Sequence, residues 1–245
     1  MAPLRRGHAM PARGASVAGV RRDPPFGAIA VAVAAYAVAM AYLEAAVVVY
    51  LQLALGASVG VLFPLRPASE AGSLAAIEAG REVATLVMIG AVGYLAGRSW
   101  LERLAWSAVV FGIWDEGYYA WLHVFSGWPP ALDTVDLLFL LPLPWVGPIW
   151  SPLAVSASLV GVGLVAAWAR RSGRQMRLRR WHWLAGLGGG LLVVLSYTID
   201  SSRLIAGGLP GPYPWPLFGA GMLLALVAAF DALRGAPAPR SLDGT

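Results

Sequence analysis

The chain has 245 residues, 58% of them hydrophobic and only 13% charged, about half the charge expected of a soluble domain. It contains no Cys, no Lys and no Asn, which excludes disulfides, thiolate nucleophiles, Schiff-base lysines, Walker-A phosphate loops and N-glycosylation. The composition is that of an all-α integral membrane protein. Its net charge of +5 comes from 18 basic residues, all Arg, and bears on topology and anionic headgroups rather than on nucleic acid.

In chain order, residues 1–25 form an Arg-rich tail expected to be disordered, and 26–234 form a single membrane domain. A crossing helix needs about 20 mostly apolar residues. Phe26–Leu55 supplies the first span. Val83–Ala96 is too short alone and must recruit Ala75–Glu82, which draws charge into the membrane. Leu104–Phe125 spans with Asp115 and Glu116 near its middle, and Ile149–Ala169, Trp183–Ile199 and Trp215–Leu233 complete six. Between the third and fourth spans, Asp133–Pro148 is apolar but broken by Pro142, Pro144 and Pro148. It reads as a short re-entrant or interfacial helix, with Asp133 as its N-cap. Residues 235–245 form a second disordered tail.

All arginines except Arg66, Arg81 and Arg203 fall in the tails or in the loops after the second and fourth spans. The positive-inside rule therefore predicts cytoplasmic N- and C-termini in a plasma (inner) membrane. Most tryptophans fall at the two expected interfaces; Trp114 alone lies at mid-membrane, beside Asp115. The glycine pairs Gly56/Gly60, Gly93/Gly97 and Gly186/Gly190 suit close helix packing.

Asp23, Glu102, Asp231 and Asp243 fall on the cytoplasmic side, and the other nine acids lie mid-membrane or outward. Charge at the bilayer centre costs about 2.5–3.5 kcal/mol even on the lenient insertion scale. The acids must therefore face one another or water, which predicts a polar cavity open to the outer face. One wall is Glu78–Arg81–Glu82–Thr85, at helical i,i+3 and i,i+4 spacing. A second wall is Asp115–Tyr119–His123, an i,i+4 stripe of carboxylate, phenol and imidazole fit for a proton relay, flanked by Trp114 and Tyr118. Asp115 and Glu116 diverge by about 100° on a helix, so only one of them faces the cavity. Glu44 has no partner on its own helix and needs Arg81 or Arg203 from another. Asp200 and Arg203 close the fifth span outward.

Histidine-based metal and haem sites fail on count, leaving no cofactor expected beyond a divalent cation on oxygen ligands from Glu44, Glu82 and Asp115. Gly56-Ala57-Ser58-Val59-Gly60 resembles the Gly-Ala-Ser stretch of rhomboid intramembrane proteases over those few residues; that family's other motifs are absent from the chain. Three functions fit the residues, which favour the first. The first is transport of a cation or a proton-coupled small solute through the carboxylate/Arg81 cavity. The second is an enzyme acting on a membrane lipid or isoprenoid, with Asp115 or Glu82 as general acid and with Trp114, Tyr118 and Tyr119 stabilising positive charge. The third is a non-catalytic subunit of a membrane complex.

Overall fold

The computed structural model describes residues 24–54, 56, 68–176 and 178–235, with side chains from residue 76 onward in the second helix. The elements are α1 Phe26–Ala54, α2 Ala68–Ala96, α3 Trp100–Ser126, β1 Val135–Phe139, β2 Trp145–Pro148, α4 Trp150–Arg171, α5 Arg180–Thr198, α6 Ser201–Ile205 and α7 Trp215–Arg234. Five helical segments (α1, α2 from Ala76, α4, α5 running on through Ile205, and α7) are long and apolar enough to cross a membrane. The protein is therefore a polytopic membrane protein.

The helix missing from that set is α3, and its place in the bundle explains why. α1, α2 and α4 all pack against it, while α1 and α2 touch each other little. Its buried face runs through Trp106, Val109, Val110, Trp114, Asp115, Tyr119 and Leu122. A helix enclosed by other helices does not have to be apolar all round, so polar groups on α3 are tolerated where the same groups on α5 would face lipid. α5 does face outward, along Leu184, Leu187, Leu191 and Ile199.

Glycines set the closest approaches. A Cβ at Gly112 of α3 would lie 2.5 Å from the Ser156 carbonyl oxygen of α4, and one at Gly163 of α4 would lie 2.7 Å from the Ala105 carbonyl oxygen of α3. α5 and α7 meet in the same way at Gly189 and Gly221. Of the pairs singled out by sequence, Gly93/Gly97 does pack against α3, whereas Gly186 and Gly190 face open space. Gly189 is the contact residue there.

The Asp133–Pro148 segment corrects the sequence reading. It is an antiparallel hairpin, β1 pairing β2 in the register Val135↔Pro148, Asp136↔Gly147, Leu137↔Val146 and Phe139↔Trp145, and not a helix. Three prolines within seven residues remove the donors a helix needs. A lone hairpin is marginal in water; here α4 and α5 pack against β2. Ile149 N–H donates to the Thr134 carbonyl, Trp150 N–H to the Leu132 carbonyl, and Ser201 Oγ to the Pro144 carbonyl at 2.7 Å.

At the opposite end, Arg171 ties four elements together. It pairs with Glu102 of α3 at 2.6 Å and donates to the carbonyls of Pro24, just before α1, and of Ala96, the last residue of α2. The helices thus run alternately between an arginine-rich end and a hairpin end. Glu102 is only 2% exposed, and sequence reasoning placed it merely at the cytoplasmic side. α5 and α7 are joined near the same end by His182, whose Nδ1 accepts from Arg179 N–H at 2.9 Å, so that Nε2 carries the proton donated to Asp231 at 3.0 Å.

Candidate functional site

At the hairpin end, α1, α2, α3 and β1 enclose a cavity of about 230 Å³. Five carboxylates (Glu44, Glu78, Glu82, Asp115 and Asp136) and one guanidinium, Arg81, line it, with Trp114, Tyr118, Trp128 and Phe139 supplying aromatic walls.

Arg81 engages two of the acids, and the other three meet different elements. Arg81 on α2 forms an ion pair with Glu44 on α1 and a second with Glu78 one turn back, at 2.8 Å from Nη2 and 2.9 Å from Nε. Of the two arginines open to Glu44, the fold brings Arg81. Thr85 Oγ1 reaches the other Glu44 oxygen at 3.5 Å. Because α1 and α2 hardly touch, Arg81 is the bridge across the seam between them.

Glu82 does something the sequence did not indicate. Leu140 N–H donates to its Oε1 at 2.7 Å and Leu141 N–H to its Oε2 at 3.2 Å. These are free edge amides at the end of β1, and the carboxylate fixes the hairpin over the cavity. With each oxygen accepting one amide, Glu82 anchors the hairpin.

The Asp115–Tyr119–His123 stripe separates at its polar ends. Ser156 Oγ on α4 donates to Asp115 Oδ2 at 2.8 Å. Tyr119 donates to Asp136 Oδ2 on β1 at 2.9 Å, and His123 Nδ1 turns to the Pro129 carbonyl at 3.0 Å. Asp115 and Tyr119 line the cavity; His123 is exposed and does not, and Glu116 stays outside the lining, so Asp115 is the inward member of that pair. Asp200 and Arg203 lie elsewhere, beside the loop before α7, where Asp200 accepts from Gly211 N–H at 2.7 Å. Ser58, Gly60 and the Glu70 side chain lie outside the described residues.

Asp136 is the site residue that sequence reasoning passed over. The one signal was an acid inside the apolar run Val135–Phe139, and a helical reading of that run gave it no inward face. It is 4% exposed, held by Tyr119 and by Leu137 N–H at 2.8 Å. Asp133, read as an N-cap, is exposed and caps no helix. Burial in the hairpin pushes the Asp136 carboxyl up from 3.8 to about 7, opposed in part by the Tyr119 and Leu137 bonds. Folded protein therefore holds a proton across that window that unfolded chain has already lost, and stability falls as pH rises through it. We expect the thermal midpoint in detergent to drop between about pH 4 and pH 7, and Asp136→Asn, which keeps an acceptor for Tyr119, to flatten that slope.

Among the described residues, no three His, Asp or Glu side chains are grouped to hold a metal ion. Glu44, Glu82 and Asp115 point to Arg81, to backbone amides and to Ser156 respectively, and do not form a coordination set. Two polar atoms on the cavity wall are buried without a hydrogen-bond partner among the described residues, Trp114 Nε1 and Gln52 Oε1. Leaving such groups unpaired costs about 1–3 kcal/mol each. Comparison with known protein families, with characterised proteins and with solved structures finds no match, so the chemistry rests on these residues.

Proposed function

We propose that the protein is a membrane-embedded enzyme that performs acid–base chemistry on a lipid or isoprenoid substrate, with Asp115 as the proton donor. In this reading α3 is a sixth span, the arginine-rich end and both termini are cytoplasmic, the membrane is the plasma (inner) membrane, and the hairpin end faces outward.

The observation that carries the proposal is where the cavity stops. Asp115 and Trp114 form its deepest polar layer. Beyond them toward the arginine-rich end, the space is filled by Val33, Ala37, Trp106, Val109, Val110 and Ala167, all buried. Transport of a cation needs polar groups to continue through that layer. A blind cavity with a mostly apolar wall suits a substrate that brings an apolar body and a small polar or unsaturated head. The α1/α2 seam, bridged by Arg81, gives a lateral way in from the lipid.

The geometry assigns roles. Ser156 occupies Asp115 Oδ2, so the transferable proton sits on Oδ1. Donating it to a double bond produces a carboxylate that Ser156 continues to stabilise, while the Trp114 and Tyr118 rings stabilise positive charge on the substrate. Loss of a proton from a neighbouring carbon back to Asp115 completes an isomerisation or cyclisation without a metal.

Asp115→Asn keeps the acceptor for Ser156 and removes the proton. We expect the variant to insert and fold normally and to lose turnover by about 100-fold or more. Untargeted lipid analysis of membranes expressing each form reads this as one species accumulating and another disappearing in the Asp115→Asn variant. Identical lipid profiles in membranes with wild type, with that variant and with no protein would overturn the proposal.

A further inference from the structure

We propose that a second cavity, at the hairpin end beside β2, binds an alkylammonium group. It has a volume of about 200 Å³ and is bounded by β2, the start of α4, the end of α5 and the loop before α7. Its chemistry is set by Asp133, Asp200, Trp150, Tyr197, Tyr213 and Trp215; no cationic side chain among the described residues lines it.

The rings are held in place before any ligand arrives. Trp150 and Trp215 stack at 4.3 Å between centroids, and Tyr213 stands edge-on to Trp215 at 4.5 Å. Ser196 Oγ donates to the Val193 carbonyl at 2.6 Å, so at its 2.9 Å contact with Tyr213 the phenol is the donor, which fixes that ring. Gly147 makes room for the tyrosines: a Cβ there would lie 2.9 Å from the Tyr197 ring and 3.1 Å from the Tyr213 ring. An ordinary interfacial belt spreads its aromatics along the lipid boundary. Here four line one pocket together with two acids.

The carboxylates complete the specificity. Asp200 gives one oxygen to Gly211 N–H, leaving the other; Asp133 makes no hydrogen bond or ion pair among the described residues. Aromatic faces and carboxylates both attract an ammonium and repel an anion. The same chemistry is carried by a free choline-type cation and by a zwitterionic phospholipid headgroup. Arg203, exposed and outside the lining but flanking Gly211, is a partner for phosphate that only the headgroup has.

Native mass spectrometry of the full-length protein in detergent tests this, with phosphatidylcholine and phosphatidylglycerol of matched chains and choline chloride as competitor. We expect phosphatidylcholine adducts to exceed phosphatidylglycerol adducts by about fivefold or more, and D133N/D200N to abolish that preference; the amide oxygen introduced by D200N still accepts from Gly211. Should the double variant fail to fold, Asp133→Asn alone, at an exposed position without a partner among the described residues, is expected to reduce it. Displacement by choline assigns the site to any alkylammonium. Retention of lipid against choline, with weakening by Arg203→Gln, assigns it to the intact headgroup; both results uphold the proposal. Equal or stronger phosphatidylglycerol binding, or a preference untouched by these Asp→Asn substitutions, overturns it.

Discussion

Replacing Arg81 with Met is expected to destabilise the protein by about 3 kcal/mol, the low end of the range for breaking a buried pair. The guanidinium side chain is 25% exposed and the carboxylates of Glu44 and Glu78 only 12% and 16%. The substitution removes a cation one quarter exposed and strands two better-buried anions, and it is the anions that carry the cost. Adding Glu44→Gln should recover a substantial part of the loss, since the neutral amide no longer needs the guanidinium. The double-mutant cycle, followed by unfolding in detergent, measures the coupling directly. Arg81→Met without loss of stability, or a Glu44→Gln effect that simply adds, would show that the bridge across the α1/α2 seam carries little energy.

Glu82→Ala is expected to release the hairpin. It removes two charge-assisted bonds, each worth about 1.5–3 kcal/mol, and leaves the Leu140 and Leu141 amides without acceptors at the edge of a two-stranded sheet. The expected result is faster hydrogen exchange confined to β1 and the following turn, with α1–α4 unchanged. Glu82→Gln should fall between, because one side-chain oxygen remains to accept. If Glu82 were instead a free acid, both variants would leave hairpin exchange at the wild-type rate.

How far the fold could be read from the sequence depended on whether local pattern or tertiary shelter decided each element. α1, α4, α5 and α7 are apolar because lipid or helix neighbours surround them, and their runs of Ala, Val and Leu show it. α3 was legible for the opposite reason: acids at mid-span have to be enclosed, and the structure wraps α1, α2 and α4 around them. α2 extends back to Ala68, and Glu78 and Glu82 do enter the bundle, as the shortness of Val83–Ala96 implied. The hairpin was not legible. The general exclusion of strands from the membrane core favours a helix for any apolar run at that depth, and nothing within Asp133–Pro148 reveals that Glu82, more than fifty residues earlier, supplies acceptors for its edge.

The candidate site divides in the same way. Glu44 needed a cation, and few arginines lie away from the basic loops, so the field narrowed to Arg81 and Arg203; only packing chose between them. Glu82, Tyr119 and His123 looked like proton carriers because spacing reports which face a residue occupies and not what it meets there. The structure spends Glu82 on backbone amides, turns His123 to the Pro129 carbonyl and gives Tyr119 to Asp136. Asp115 lines the cavity and gives one oxygen to Ser156.

If the cavity above Asp115 is a blind site for a lipid-like molecule, protein purified gently from its own membranes carries one into native mass spectrometry. A bound species of lipid or isoprenoid mass is predicted, one per chain, lost when Val48→Trp fills the cavity and retained in D133N/D200N. Protein that carries no such species, and that passes cations in proteoliposomes in a manner dependent on Asp115, would contradict it.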